Sequence, residues 1–213
     1  MSIIIAGIHT GIGKTVCSAI LAEALGYDYW KPVQAGDLEN SDSIIIKNHL
    51  SNPQCKIHDE IYQLKLAASP HWAAEQDGVE IKAEKLLLPE SNNIIIETAG
   101  GIMSPLAKDF LNLDMIKLFN KPVILVSNCY LGSINHTLLS IQVLKQAGVS
   151  IIGVIFNGEQ ISSSIEYILA YSKLSLLLSV PKFETIDQKT ISNFANIIPD
   201  NLKKKLLEFT GKG

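Results

Sequence analysis

Short apolar bursts separated by longer amphipathic stretches run along the whole chain. Runs rich in Ile and Val occur at 3–6, 94–96, 123–126 and 151–155, and each is followed by a loop and then a helix-period pattern. A strand that is apolar at consecutive residues is buried on both faces, which marks a parallel sheet covered by helices. The intervening patterns predict helices over Lys14–Leu25, Ser43–Leu50, Leu113–Phe119, Ile134–Gln146 closed by Gly148, and Ile161–Tyr171. "YDYWKPV" and "SLLLSVP" predict two more strands, with Pro181 at the carboxyl end of the last. Strand, loop and helix in repeating order predict a doubly wound, mostly parallel α/β sheet in a single domain over 1–213. No internal repeat, low-complexity tract or Gly/Ser linker divides the chain. The stretch 51–90 is the least regular, a candidate insertion near the site.

Composition narrows the function classes. With 213 residues and 47% hydrophobic content the chain can bury a sizeable core. The formal charge of −3 offers no basic footprint for nucleic acid or an anionic membrane, and the lysines at 203–205, like Lys117 and Lys121, read as solvated helix faces. The mean hydropathy of +0.22 comes from the short bursts, none of which approaches the roughly 18–20 residues needed to cross a bilayer. Met1 leads straight into a strand without a basic start or cleavage site, which predicts a cytoplasmic protein. Cys17, Cys55 and Cys129 are odd in number and far apart, so they read as free buried thiols.

Ligands of such sheets gather outside the carboxyl ends of the strands. The loops there are "GIHTGIGKT", "KPVQAG", "ETAGG", "SNCYLGSIN", "FNG" and "PKF", which concentrate Gly, Asn, Lys, Thr and Glu. The first is close to a Walker A sequence, but five residues rather than four separate Gly7 from Gly13. Its physical parts remain. Gly11 and Gly13 let backbone approach phosphate, Lys14 supplies charge, Thr15 offers a hydroxyl to a metal, and the helix starting at Lys14 points its positive end at the anion. This predicts a sheet of the P-loop NTPase type. A Rossmann fingerprint does not fit, because Lys14-Thr15-Val16 follows where a third small residue belongs. His9 stands where the MinD/ParA ATPases carry a lysine, which argues against a partitioning ATPase.

Phosphoryl transfer needs carboxylates to hold magnesium. Glu97 ends the apolar strand "IIIETAGG", a costly place for a charge unless a cation or amide meets it. Asp42, in "NSDS", is a second candidate, with helix N-capping as an alternative role. Lys31, in "WKPV", is aimed at the same rim, unless it only snorkels to solvent.

Taken in order, "G(x)5GKT", "KPVxxG", "NSD", "E(x)AGG(x)3P", "LG(x)INH" and the Asn after the fifth strand resemble the dethiobiotin synthetase family over nearly the whole chain, most weakly at 51–90 and after 184. The resemblance implies an ATP- and magnesium-dependent ligase that closes the ureido ring of dethiobiotin from 7,8-diaminopelargonic acid and carbon dioxide. It implies nucleotide contacts from Gly11, Ile12, Gly13, Lys14, Thr15 and Val16, and from the strand end Glu97, Thr98, Ala99 and Gly100. Lys14 and Lys31 would neutralise carbamate and γ-phosphate, with Thr10 between substrate and phosphate. Thr15, Asp42 and Glu97 would hold magnesium. Asn157 with Pro181, Lys182 and Phe183 would read adenine. Ala35 and Gly101 would lie at the diamine. The helix start Gly132, Ser133, Ile134 and Asn135, assisted by Tyr167, would hold the substrate's far carboxylate from the neighbouring subunit of a homodimer, unless Ser133 merely caps its own helix. Departures from the family pattern are Gly11, where Glu is common, Ala35, where Ser is common, and Thr98, where Gly is usual. Two alternatives stand beside this reading. One is another P-loop synthetase, such as the one that amidates cobyrinic acid, whose glutaminase-like extension has no counterpart in these 213 residues. The other is a non-catalytic nucleotide switch, against which His9 and Lys31 speak.

Overall fold

The structure is a computed structural model and describes residues 2–210. In chain order, β1 (Ser2–Gly7) leads into α1 (Lys14–Leu25), then β2 (Asp28–Trp30), β3 (Val33–Ala35) and α2 (Asp42–His49). Next come β4 (Ile57–His58), β5 (Tyr62–Leu64), α3 (Pro70–Gln76), β6 (Ile94–Gly101), β7 (Pro105–Ala107) and β8 (Phe110–Leu111). The chain continues through α4 (Asn112–Phe119), β9 (Val123–Ser127), α5 (Ser133–Gln146), β10 (Ile151–Asn157), α6 (Ser162–Ser172) and β11 (Leu176–Val180). It ends with α7 (Gln188–Asn196) and α8 (Asp200–Thr210). Seven strands form one parallel sheet in the order β11-β10-β9-β1-β6-β2-β4, as the unbroken apolar runs predict.

The central strands are inaccessible: Ile3–Ala6, Ile94–Ile96 and Val123–Val126 are all at 1% exposure or below. Burying an aliphatic side chain of this size is worth roughly 1.5–3 kcal/mol, so the core has little freedom to shift register. That register positions the chemistry. Ile5 lies beside Glu97 on β6, and Trp30 lies beside Ile96, so Lys31 leaves β2 level with Glu97. On the other flank Asn157 of β10 pairs with Val180, placing it level with the start of "PKF".

Two expectations change, and two weakly read stretches gain elements. The stretch "YDYWKPV" is not one strand: β2 stops at Trp30, and after Pro32 the chain joins a separate two-stranded ribbon of β3 with β5. Proline has no N–H to give the ladder, so the main sheet ends there. Residues 51–90 are mostly irregular, as expected, but contribute edge strand β4, ribbon strand β5 and helix α3. The stretch after 184 adds α7, which packs along α1 with Ile191 and Ala195 buried. Of the three free cysteines only Cys17 is fully buried, while Cys55 and Cys129 are half-buried.

Candidate active site

The glycine loop is shaped by what crowds it. A Cβ at Gly7 would lie 2.8 Å from Ile12 Cδ1 and 2.9 Å from Lys14 Cδ, so β1 must end in glycine where the loop folds back over it. Gly13 precedes α1 at φ 85°, a left-handed conformation, and a Cβ there would overlap the amide of Asn157. Asn157 Nδ2 donates to the Ile12 carbonyl at 2.9 Å, tying β10 to the loop. Ile12 and Val16 pack their side chains on the core and offer only backbone.

The loop borders a cavity of about 610 Å³ that also touches Lys31, Asp42, Glu97 and Gly100. Lys14 and Lys31 are nearly buried, at 6% and 7% exposure. Burial pulls the Lys14 ammonium below its ordinary pKa, against the opposing pull of Glu97, and its Nζ donates to the His9 carbonyl at 3.3 Å. Lys31 is ion-paired with Asp42. The Thr15 hydroxyl donates to Asp42 Oδ1 at 2.6 Å and lies 3.1 Å from Glu97 Oε1. Glu97 also accepts from Ser18 Oγ at 2.8 Å and from the Tyr29 hydroxyl at 3.1 Å. Burial raises its pKa despite the nearby Lys31 and these donors. Burial works in the same direction on Asp42, but Lys31 and Thr15 outweigh it and hold that carboxyl below its usual range.

The cap alternative for Asp42 is now decided. Ser41 is the N-cap of α2 and its hydroxyl accepts from Ile44 N, whereas Asp42 is the first helical residue and spends both oxygens on the site. A hydroxyl and two carboxylates form an all-oxygen set, which suits magnesium and does not suit a soft metal. Among the described residues no cluster of three or more His, Cys, Asp or Glu side chains offers a metal cage.

The strand end "ETAGG" is braced from a distance. Asn112, fully buried at the start of α4, donates to the carbonyls of Ala99 and Gly101, and Ser104 Oγ accepts from Gly101 N at 2.9 Å. Thr98 is fully buried with its hydroxyl unpartnered and does not line the cavity. Thr10, Gly11, Ala35 and Ala99 do line it. Gly101 borders an adjoining cavity of about 450 Å³ with Thr10 and Leu139.

The remaining expected residues lie apart from this cavity within one chain. Pro181 and Lys182 are exposed, and Phe183 packs edge-on against Phe194. Gly132 is the N-cap of α5 at φ 101°. Ser133 is therefore not the cap; it is buried, and its hydroxyl accepts from Tyr130 N at 3.3 Å. Ile134 is half-buried and Asn135 exposed, while Tyr167 is exposed and stacks on Tyr171 with ring centroids 6.2 Å apart.

Several cavity residues were not singled out in the sequence. Gln34, Asp37, Asn40, Ile45, residues 67–70 and Ser104 complete the wall. Gln34 stands inside the quoted "KPVQAG", so proximity to Lys31 was its signal. The segment 67–70 comes from the irregular stretch suspected to lie near the site.

A glycine loop, a lysine and a hydroxyl at the head of α1, facing the Glu97 carboxylate of β6 and the Asp42 carboxylate that opens α2, define a P-loop nucleotide-binding protein. The fold agrees with solved structures. A plasmid partition protein of Borrelia burgdorferi bound to AMPPNP aligns with a TM-score of 0.59 at 13% identity, covering 97% of this chain and 98% of that one. A ParA-family ATPase of Chlorobium tepidum aligns at 0.56 and 13%, covering 92% and 98%. A family model described as an AAA domain matches residues 1–190. Proteins named ATP-dependent dethiobiotin synthetase align over almost their full length. That of Cytophaga hutchinsonii is 46% identical over 92% of this chain and 96% of its own. That of Christiangramia forsetii is 42% identical over 97% and 98%. The chain belongs to the ATP-dependent dethiobiotin synthetase family.

Proposed function

We propose that the whole chain is one synthetase domain that closes the ureido ring of dethiobiotin from 7,8-diaminopelargonic acid, carbon dioxide and ATP, working in the cytoplasm, where its unpaired thiols stay reduced. The observation that carries the reading is the convergence of Lys14, Lys31, Thr15, Asp42 and Glu97 on one cavity at the strand ends.

One amine of the diamine takes up carbon dioxide as a carbamate and loses a proton. A carbamate oxygen attacks the γ-phosphorus of ATP and ADP leaves, giving a carbamic-phosphoric anhydride. The second amine attacks the carbonyl carbon, phosphate departs, and the ring closes. The chain supplies no covalent nucleophile in this scheme. Its work is positioning and charge stabilisation, as phosphoryl transfer requires. Lys14 follows charge on the phosphates, and Lys31, released from Asp42, follows charge on the carbamate and the transferred group. Thr10 orients substrate against phosphate, and the Ala99–Gly101 backbone, held in place by Asn112, lines the diamine's side. Thr15, Asp42 and Glu97 would hold magnesium, which when bound neutralises the triphosphate and its leaving group. Asn157 and the Pro181–Phe183 backbone would read adenine.

The exposed apolar residues Leu131, Leu139, Tyr167 and Tyr171 favour a homodimer through the α5 and α6 face. Leu139 borders the adjoining cavity with Thr10 and Gly101, so a partner seated there would bring its own Gly132–Asn135 helix start near the substrate.

The test is to mix the protein with ATP, magnesium, bicarbonate and the diamine. Phosphate release that depends on the diamine and yields the cyclic urea is the expected result. Release that ignores the diamine would refute the reading.

A further inference from the structure

Gln34 borders the cavity beside Lys31 and Ala35 and is itself 6% exposed. Its Nε2 donates to the Gly36 carbonyl at 2.9 Å, which fixes the orientation of the side-chain amide. The other end of that amide, Oε1, is buried and has no hydrogen-bond partner. A buried carbonyl left unpaired costs free energy comparable to a lost hydrogen bond, so a donor is expected to meet it.

None of the site's lysine or threonine donors already described meets it. Lys31 is paired with Asp42, Lys14 donates to His9, and Thr15 donates to Asp42. Phosphate and carbamate oxygens only accept, so they cannot satisfy Gln34. An amine can. Both carboxylates that might otherwise receive it already hold partners, Asp42 from Thr15 and Lys31, and Glu97 from Ser18 and Tyr29. The chemistry of the acceptor also matters. A carboxylate facing an amine favours the protonated, non-nucleophilic ammonium, whereas a neutral amide oxygen can hold an N–H without that bias.

We propose that Gln34 Oε1 accepts an N–H from one of the two amines of the substrate and is a specificity-determining contact for the diamine. This rests on the diamine reading above.

The test compares the diamine with its two monoamine analogues, each lacking one amino group, as ligands of the wild type and of Gln34→Met, which matches the side chain's length without its hydrogen-bonding groups. In the wild type, one monoamine is expected to compete at least about tenfold more weakly than the diamine binds. In Gln34→Met that preference should shrink to within about twofold, with the Michaelis constant for ATP unchanged. Equal weakening of all three ligands by Gln34→Met would mark a purely structural residue and overturn the proposal. So would an unchanged preference, a selective loss of ATP affinity, or a wild type that binds both monoamines as well as the diamine. A wild type without diamine-dependent turnover overturns the activity reading and this proposal together, whereas diamine turnover with an unmoved preference overturns this proposal alone.

Discussion

Replacing Asp42 with Asn removes one negative charge from the site and leaves helix capping alone, because Ser41 caps α2. In the free protein the carboxylate faces the Lys31 ammonium and the Thr15 hydroxyl. If the same carboxylate helps hold magnesium, ligand binding exchanges a monovalent partner for a divalent one. At roughly 4 Å and an effective dielectric near 20, a unit pair is worth about 4 kcal/mol, so the exchange gains about 4 kcal/mol before desolvation is counted. Stripping water from a divalent ion takes back a large part. A net loss of about 2 kcal/mol on removing the charge corresponds to a roughly 30-fold rise in the magnesium midpoint. The assay is a magnesium titration of diamine-dependent phosphate release at saturating ATP. Ser41→Ala serves as the matched control: it removes the cap, should lower folding stability by about 1 kcal/mol, and should leave the magnesium midpoint where it was. A midpoint within twofold of wild type in Asp42→Asn would refute the metal role. A Ser41→Ala variant that moves the midpoint as far would refute the separation of cap from site.

Three further outcomes follow from the same geometry. Lys14→Ala should raise the dissociation constant for ATP and cut the rate together, whereas Lys31→Ala should mainly cut the rate; equal loss of ATP affinity in both would contradict the division of labour. Asn135→Trp, at an exposed position that avoids the left-handed turn of Gly132, should raise the Michaelis constant for the diamine in a shared-site dimer. Mixing it with Lys14→Ala should regain activity through one intact composite site, and after confirmed subunit exchange no gain over the parents' sum would exclude sharing. Asp28 gives a pH signature. Burial tends to raise its pKa, but the Lys56 amide, Ser91 and His58 prevail and depress it. A depressed carboxyl stabilises the fold above its unfolded value and loses that contribution as pH falls through the folded one. The stability gap between wild type and Asp28→Asn, followed by urea unfolding from about pH 6 to about pH 2.5, should therefore close below about pH 4. A gap independent of pH would remove the charge from the explanation.

Much of this architecture was legible from local pattern. α1 runs over the predicted residues because glycines bound it on both sides, and the consecutive Ile and Val runs could only be buried parallel strands. The carboxylate of Glu97 and the lysine of "WKPV" were visible as charges at the ends of apolar strands, and the structure sets them level through strand register. Pro32 was misread because it stands within seven residues of strand-like composition, and only its missing N–H says that the sheet stops. α7 carried a usable signal in Ile191, Phe194 and Ala195 at helical spacing, with Asp187 capping, but its overall polarity hid it. Asn112 had no comparable signal, and Gln34 had only its place beside Lys31 in "KPVQAG". Asn112 braces carbonyls 11 and 13 residues away, and what distinguishes Gln34 is a partner it does not have. Neither property exists before the chain is folded.

The pairing of Lys31 with Asp42 in the free protein bears on turnover. A site built to receive a triphosphate could leave its lysines bare, and it would then grip the spent nucleotide as firmly as the fresh one. Here, if Lys31 serves the transferred group as proposed, the phosphate that leaves it would be replaced by the Asp42 carboxylate beside it, while Lys14 keeps only a backbone carbonyl. Such an arrangement gives up some grip on the incoming nucleotide in exchange for faster clearance of products. Deleting that carboxylate would therefore be felt twice, in the magnesium midpoint before the chemistry and in the release of phosphate after the ring has closed.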